Sequence, residues 1–179
     1  MGERITVLLG DSADVLKEIE PNTIDAIVTD PPSGTNMMIP FMSVDSDRHI
    51  KFDSKNKTRY NFKTQYRVMT MLRTDFEDKV FPVFKECFRL IKPGGYGIVW
   101  AFNKSVHWTM DILEKSGFCI VDVIIRKLEK KRPKAPLYSD KYSTQLIQET
   151  EMWVVVRKCG EYDSATENFN NYGTGFMNV

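Results

Sequence analysis

The sequence predicts an α/β protein built on a mostly parallel sheet, with an antiparallel pair of strands at its C-terminal end. Three observations predict it. Short apolar, β-branched runs alternate with stretches of helical periodicity, the turns between them are short, and the last two apolar runs follow one another without a helix. A chain of 179 residues holds one domain with a sizeable core and is too short for two ordinary ones.

The elements follow in order. Residues 5–9 are apolar and end at Gly10-Asp11-Ser12, so they read as a first strand. Residues 12–19 place Val15, Leu16 and Ile19 on one helical face, with Asp11 or Ser12 as N-cap, and Pro21-Asn22 ends that helix. Residues 24–29 are nearly all apolar, as a strand covered on both faces should be. From 34 to 65 the periodicity dissolves into a long loop, and loops of that length are usually functional or disordered.

A helix resumes near Thr74 with Phe76, Val80, Val83, Phe84, Cys87, Leu90 and Ile91 at spacings of three and four. Lys92-Pro93-Gly94-Gly95 is a strong stop. Residues 96–102 form a buried strand, 105–115 a helix ended by Gly117, 118–125 another strand and 152–156 the last. The final two strands form an antiparallel pair expected at one edge. The ordered domain is expected over 1–160, and the segment 161–179 reads as a polar tail with no packing pattern.

Composition narrows the function classes. Hydrophobic content of 42% and charged content of 27% are globular values, and a formal charge of +1 neither demands nor excludes a polyanionic partner. No stretch approaches the apolar length of a membrane span and no signal-peptide core is visible, which points to the cytoplasm. Cys87, Cys119 and Cys159 are widely spaced and odd in number, against a disulfide framework or zinc site; Cys87 and Cys119 fall in apolar patterns and read as core.

Chemistry concentrates at Asp30-Pro31-Pro32-Ser33, directly after the strand at 24–29. Two prolines cannot continue a ladder, because neither has an N–H and each locks φ. The strand therefore ends abruptly and leaves a carboxylate and stiff carbonyls at the rim of the sheet, where α/β folds bind ligands. Such acceptors suit a substrate that presents an amino group; an ordinary proline turn is the alternative.

The order of elements around Asp30-Pro31-Pro32 resembles the amino-methylating DNA methyltransferases, whose hallmark is Asp/Asn/Ser-Pro-Pro-Tyr/Phe/Trp. Gly10-Asp11-Ser12 with Val15-Leu16, the Leu90-Ile91-Lys92-Pro93-Gly94-Gly95 stop, the strand from Gly97 to Phe102, and Gln148-Glu149-Thr150-Glu151-Met152-Trp153 also match. The segment Glu167-Asn168-Phe169 with Tyr172-Gly173-Thr174-Gly175 and Asn178-Val179 resembles phage and prophage DNA methylases of circularly permuted order. The resemblance implies a Rossmann-like methyltransferase sheet and S-adenosyl-L-methionine as cofactor. It also implies DNA as partner, and methyl transfer to adenine N6, with cytosine N4 as the neighbouring chemistry.

By that resemblance the target base is swung out of the helix. The Asp30 side chain and the Pro31 carbonyl would accept hydrogen bonds from its amino group, and Asp11 would hydrogen-bond the cofactor's adenine. No metal and no general-base histidine is required.

The chain departs from the family twice. The fourth hallmark position is Ser33 where a stacking aromatic is usual, which leaves Phe41, Tyr60 or Phe62 as substitutes. The family's Asp-Pro-Phe-x-Gly-x-Gly cofactor segment has no counterpart, since Gly173-Thr174-Gly175 lacks a buried strand before it. The sheet is accordingly expected to be incomplete. Two family strands are missing between 5–9 and 24–29, so the first strand must dock on the second or stay frayed. A second chain or downstream segment would complete the cofactor site. The alternative is a catalytically inactive nucleic-acid-binding or interaction module.

Two basic clusters interleave with aromatics, the one around Lys55, Lys57 and Arg59 and the one around Lys130, Lys131 and Arg132. Such clusters suit a phosphate backbone with a displaced base, against the ordinary reading of a solvated charged face.

Overall fold

The computed structural model describes residues 5–32, 73–129 and 149–177. Asp11 caps a single helical turn, α1 (Ser12–Val15), by accepting a hydrogen bond from Ala13 N at 2.8 Å. A 3-10 turn (Leu16–Glu18) continues it. Then come β1 (Ile24–Thr29), α2 (Arg73–Leu90), β2 (Ile91–Ala101), α3 (Val106–Lys115), β3 (Cys119–Lys127), β4 (Thr150–Arg157) and α4 (Ala165–Tyr172).

The four strands form one sheet in the order β1-β2-β4-β3. β1 runs parallel to β2, with Val28 beside Ile98 and Thr29 beside Val99. β4 opposes both β2 and β3, so three strands share one direction and one runs against them. The expected antiparallel pair, β3 with β4, lies at one edge of the sheet, with β4 placed between β2 and the edge strand β3. Its burial explains why. Val154, Val155 and Val156 are all buried, which suits a central strand, whereas Val121, Ile124 and Ile125 of β3 are exposed, as an edge strand permits.

Residues 5–9 do not join the sheet. Ile5, Val7, Leu8 and Leu9 are all exposed, so the frayed alternative holds and the expected first strand is corrected. A five-residue run gains nothing from extension unless a neighbour satisfies its backbone groups. The following turns are fixed by α2 instead. Arg89 donates to the Leu16 and Ile19 carbonyls at 2.9 and 3.0 Å, and Thr23 N donates to Leu90 O at 2.9 Å.

The core lies on one face of the sheet. Phe76, Val80, Phe84 and Cys87 recur at helical spacing on α2 and pack with Ile112 and Leu113 of α3 against Val99, Ala101, Val154 and Val156. α2 stops at Leu90 as the Pro-Gly-Gly sequence requires, yet β2 begins at once. The register shifts between Ile24 and Ala26, so that Lys92 to Gly95 bulge out of the ladder.

That bulge receives the C-terminal segment, which is no loose tail. Ser164 caps α4 and Gly173, at φ 72°, ends it. Asn168 is 1% exposed: its amide donates to Pro93 O at 3.0 Å and Thr174 O at 3.1 Å, and its Oδ1 accepts from Glu161 N at 3.3 Å. The Thr174 hydroxyl donates to the same Pro93 carbonyl. Gly94 has φ 79°, and a Cβ there would stand 2.4 Å from Asn168 Nδ2, so only glycine fits beneath this contact.

Candidate active site at the carboxyl rim of the sheet

β1 delivers Asp30 to the carboxyl end of the sheet. The ladder ends at the Thr29–Val99 pair, and the chain leaves it as Asp30-Pro31-Pro32, with Asp30 and Pro32 exposed and Pro31 half-buried. The proline reading thus holds locally: the strand stops where its donors run out. Trp100 follows Val99 on β2, and its alternation with the buried Val99 and Ala101 puts it on the face opposite α2 and α3.

That face carries aromatics which the sequence reading did not single out. Trp100 lies across from Trp153 of β4, and its ring is 6.5 Å from that of Phe102 at an interplanar angle of 34°. All three are half-buried. The available signal was their i, i+2 spacing, which puts Trp100 and Phe102 on one side of a strand. Just beyond, Asn103 donates to the Thr150 hydroxyl at 3.1 Å and to its carbonyl at 3.3 Å, tying the end of β2 to the start of β4. Its Oδ1 is buried with no partner among the described residues.

Asp11, exposed at the start of α1, is engaged as an N-cap. Ser33, the candidate stacking residues Phe41, Tyr60 and Phe62, and the basic residues Lys55, Lys57, Arg59, Lys130, Lys131 and Arg132 lie outside the described residues. Arg126, at the border of the second basic stretch, faces Glu151 across the ladder at 3.7 Å. Two shallow grooves flank α2, one lined by Glu77, Phe81 and Ile112 and the other by Asn22, Phe88 and Lys158; neither includes Asp11 or Asp30.

Among the described residues no three His, Cys, Asp or Glu side chains gather to hold a metal, and no helix is long and apolar enough to cross a membrane. Cys87 is buried as expected, and burial first, with Glu86 nearby, pushes its thiol up to about 11. Cys119, expected in the core, is exposed at the start of the edge strand.

An exposed carboxylate on a rigid strand end, with proline carbonyls behind it and a partly open aromatic face beside it, can accept hydrogen bonds from an amino group on a flat ring. Two solved structures are similar to this chain in fold. A DNA modification methylase of Thermus thermophilus, also solved with S-adenosyl-L-methionine, matches 87% of this chain over 55% of its own length at a TM-score of 0.51 and 20% identity. The cytosine-N4-specific PvuII DNA methyltransferase matches 96% of this chain over 55% of its own, at a TM-score of 0.54 and 14% identity.

The chain shares its fold with part of these two methyltransferases.

The chain spans about half the length of these two structures. No family model and no curated protein matches the sequence. The expected Rossmann-like sheet is therefore present and partial.

Proposed function

We propose that this chain is the target-base half of an S-adenosyl-L-methionine-dependent DNA amino-methyltransferase that acts on adenine N6. The observation that carries the reading is Asp30-Pro31-Pro32 standing exposed at the carboxyl end of β1 within a methyltransferase-type sheet. Asp30 and the Pro31 carbonyl accept the two N–H bonds of the extruded base. The prolines stiffen the backbone that carries the Pro31 carbonyl, so orienting that acceptor costs little at the moment of reaction. Holding both hydrogens in acceptors pulls the nitrogen lone pair out of the ring and exposes it to an electrophile; the released proton passes to Asp30 or solvent. Cytosine N4 offers the same donors, and Asp at the first hallmark position favours adenine. The phage or prophage affinity and the permuted order rest on the sequence resemblance.

The described residues fit only one edge of the cofactor. Asp11 can meet its adenine, but Gly173-Thr174-Gly175 is occupied with Pro93 and Asn168 and offers no cradle. When bound, S-adenosyl-L-methionine supplies the methyl group. A second chain or a further segment is proposed to complete its pocket by adding to β1, whose outer edge pairs with no strand among the described residues and whose Val28 is 73% exposed. The proposed domain covers 1–160, and within the segment 161–179 Asn168 and Thr174 bond to its bulge.

The occupied Gly-Thr-Gly segment favours one further reading, a nucleic-acid-binding module without catalysis. Calorimetry with S-adenosyl-L-methionine separates the two. Binding supports the methyltransferase, and no heat at millimolar cofactor rules out catalysis by this chain alone.

A further inference from the structure

Cys119 opens β3 and Cys159 lies just past the end of β4, where the ladder pairs Cys119 with Arg157. Forty positions apart in sequence, their sulfurs stand 3.1 Å from one another. Both thiols are exposed, while Cys87 is buried.

Both backbones are held in place. Cys119 belongs to the ladder. Cys159 follows Lys158, whose N–H donates to Gly95 O and whose carbonyl accepts from Gly94 N, each at 3.0 Å. A disulfide needs about 2.05 Å between sulfurs, so closure requires roughly 1 Å of side-chain rotation. Contact with Cys159, and after it partial burial, holds the Cys119 thiol above its ordinary range.

We propose that Cys119 and Cys159 form a dithiol site that reacts with small-molecule disulfides and closes to an intramolecular disulfide, clamping edge strand β3 to the segment that leads into α4. One thiolate attacks the external disulfide, forms a mixed disulfide and expels one small thiol. The second cysteine then attacks the protein sulfur and expels the other small thiol. Two protein thiols are oxidised, the external disulfide is reduced, and the two protons end on the released thiols. The clamp falls beside the joint that seats Asn168, because a Cβ on Gly160 would stand only 2.8 Å from Asn168 Oδ1. The oxidised chain thus holds α4 against the bulge more firmly.

The test is exchange of the reduced full chain with oxidised glutathione, followed by intact mass, peptide mapping and thiol titration. Expected is loss of two of the three titratable thiols, a mapped Cys119–Cys159 link and no accumulated glutathione adduct. Cys119→Ser and Cys159→Ser should each instead trap one glutathione on the remaining partner. Proteolysis of residues 160–177 should slow in the oxidised wild type and stay unchanged in both variants. Stable glutathione adducts on wild type, a link to Cys87, or equal proteolysis in oxidised and reduced protein would overturn the proposal.

Discussion

Replacing Asn168 by alanine probes whether the C-terminal segment belongs to the folded unit. The side chain is 1% exposed and makes three hydrogen bonds, to Pro93 O, Thr174 O and Glu161 N. Pro93 O keeps its bond from the Thr174 hydroxyl, but the other two groups lose their partner. At about 1 kcal/mol net per bond, and more where a polar group is left unmet, the loss comes to about 3 kcal/mol. With a urea slope of roughly 2 kcal/mol per molar, the midpoint should fall by about 1.5 M. Urea unfolding followed by circular dichroism measures this, and the slope should not change. A shift below about 0.3 M would refute the reasoning and return residues 161–179 to a solvated tail. Gly94→Ala strikes the same contact from the other side and should destabilise through both its φ of 79° and the approach of Asn168.

Lys158 donates to Asn22 Oδ1 at 2.7 Å, Ile91 O at 3.0 Å and Phe88 O at 3.1 Å, closing the end of α2. Lys158→Met should cost about 1–3 kcal/mol in the same unfolding assay, since apolar packing survives but three acceptors lose their donor. Asp111 sits between Lys115 and Arg73, and the hydrogen bond from Lys115 leads in holding its carboxyl below the usual 3.8. A lowered carboxylate pKa stabilises the fold above the unfolded value and loses that contribution as pH falls through the folded one. Asp111→Asn should therefore flatten the stability profile below about pH 4 and leave a smaller difference in high salt. Charge reversal at Lys130, Lys131 and Arg132 should weaken DNA retention in gel shifts and reduce its salt slope; an unchanged slope would assign those side chains to a solvated face.

What was legible in the sequence follows from what is local. Ile24 to Thr29, the Phe76–Val80–Phe84–Cys87 stripe and the apolar runs in β2, β3 and β4 each announce their element through periodicity, and Asp30-Pro31-Pro32 announces a strand end. The insertion of β4 between β2 and β3 is a pairing between distant segments that periodicity does not encode. Residues 5–9 carry a strand pattern with no strand to pair with among the described residues. α4 was missed because its buried anchor is Asn168, a polar side chain held by hydrogen bonds, where apolar patterning was the signal sought. The Cys119–Cys159 contact escaped for the same reason as β4: register, not spacing, brings it together. Of the candidate site, the acceptor side was readable, whereas the Trp100, Phe102 and Trp153 face emerged only once the strands were aligned.

The most direct measurement is transfer of labelled methyl from S-adenosyl-L-methionine to unmethylated genomic DNA by the wild-type chain and by Asp30→Ala, with the modified base identified after hydrolysis. Where the wild-type chain transfers methyl, the product should be N6-methyladenine, with a loss of about 100-fold or more in the variant, which keeps its fold because Asp30 is exposed. Equal incorporation by the two proteins would contradict a role for Asp30, and none by wild type would exclude catalysis by this chain alone.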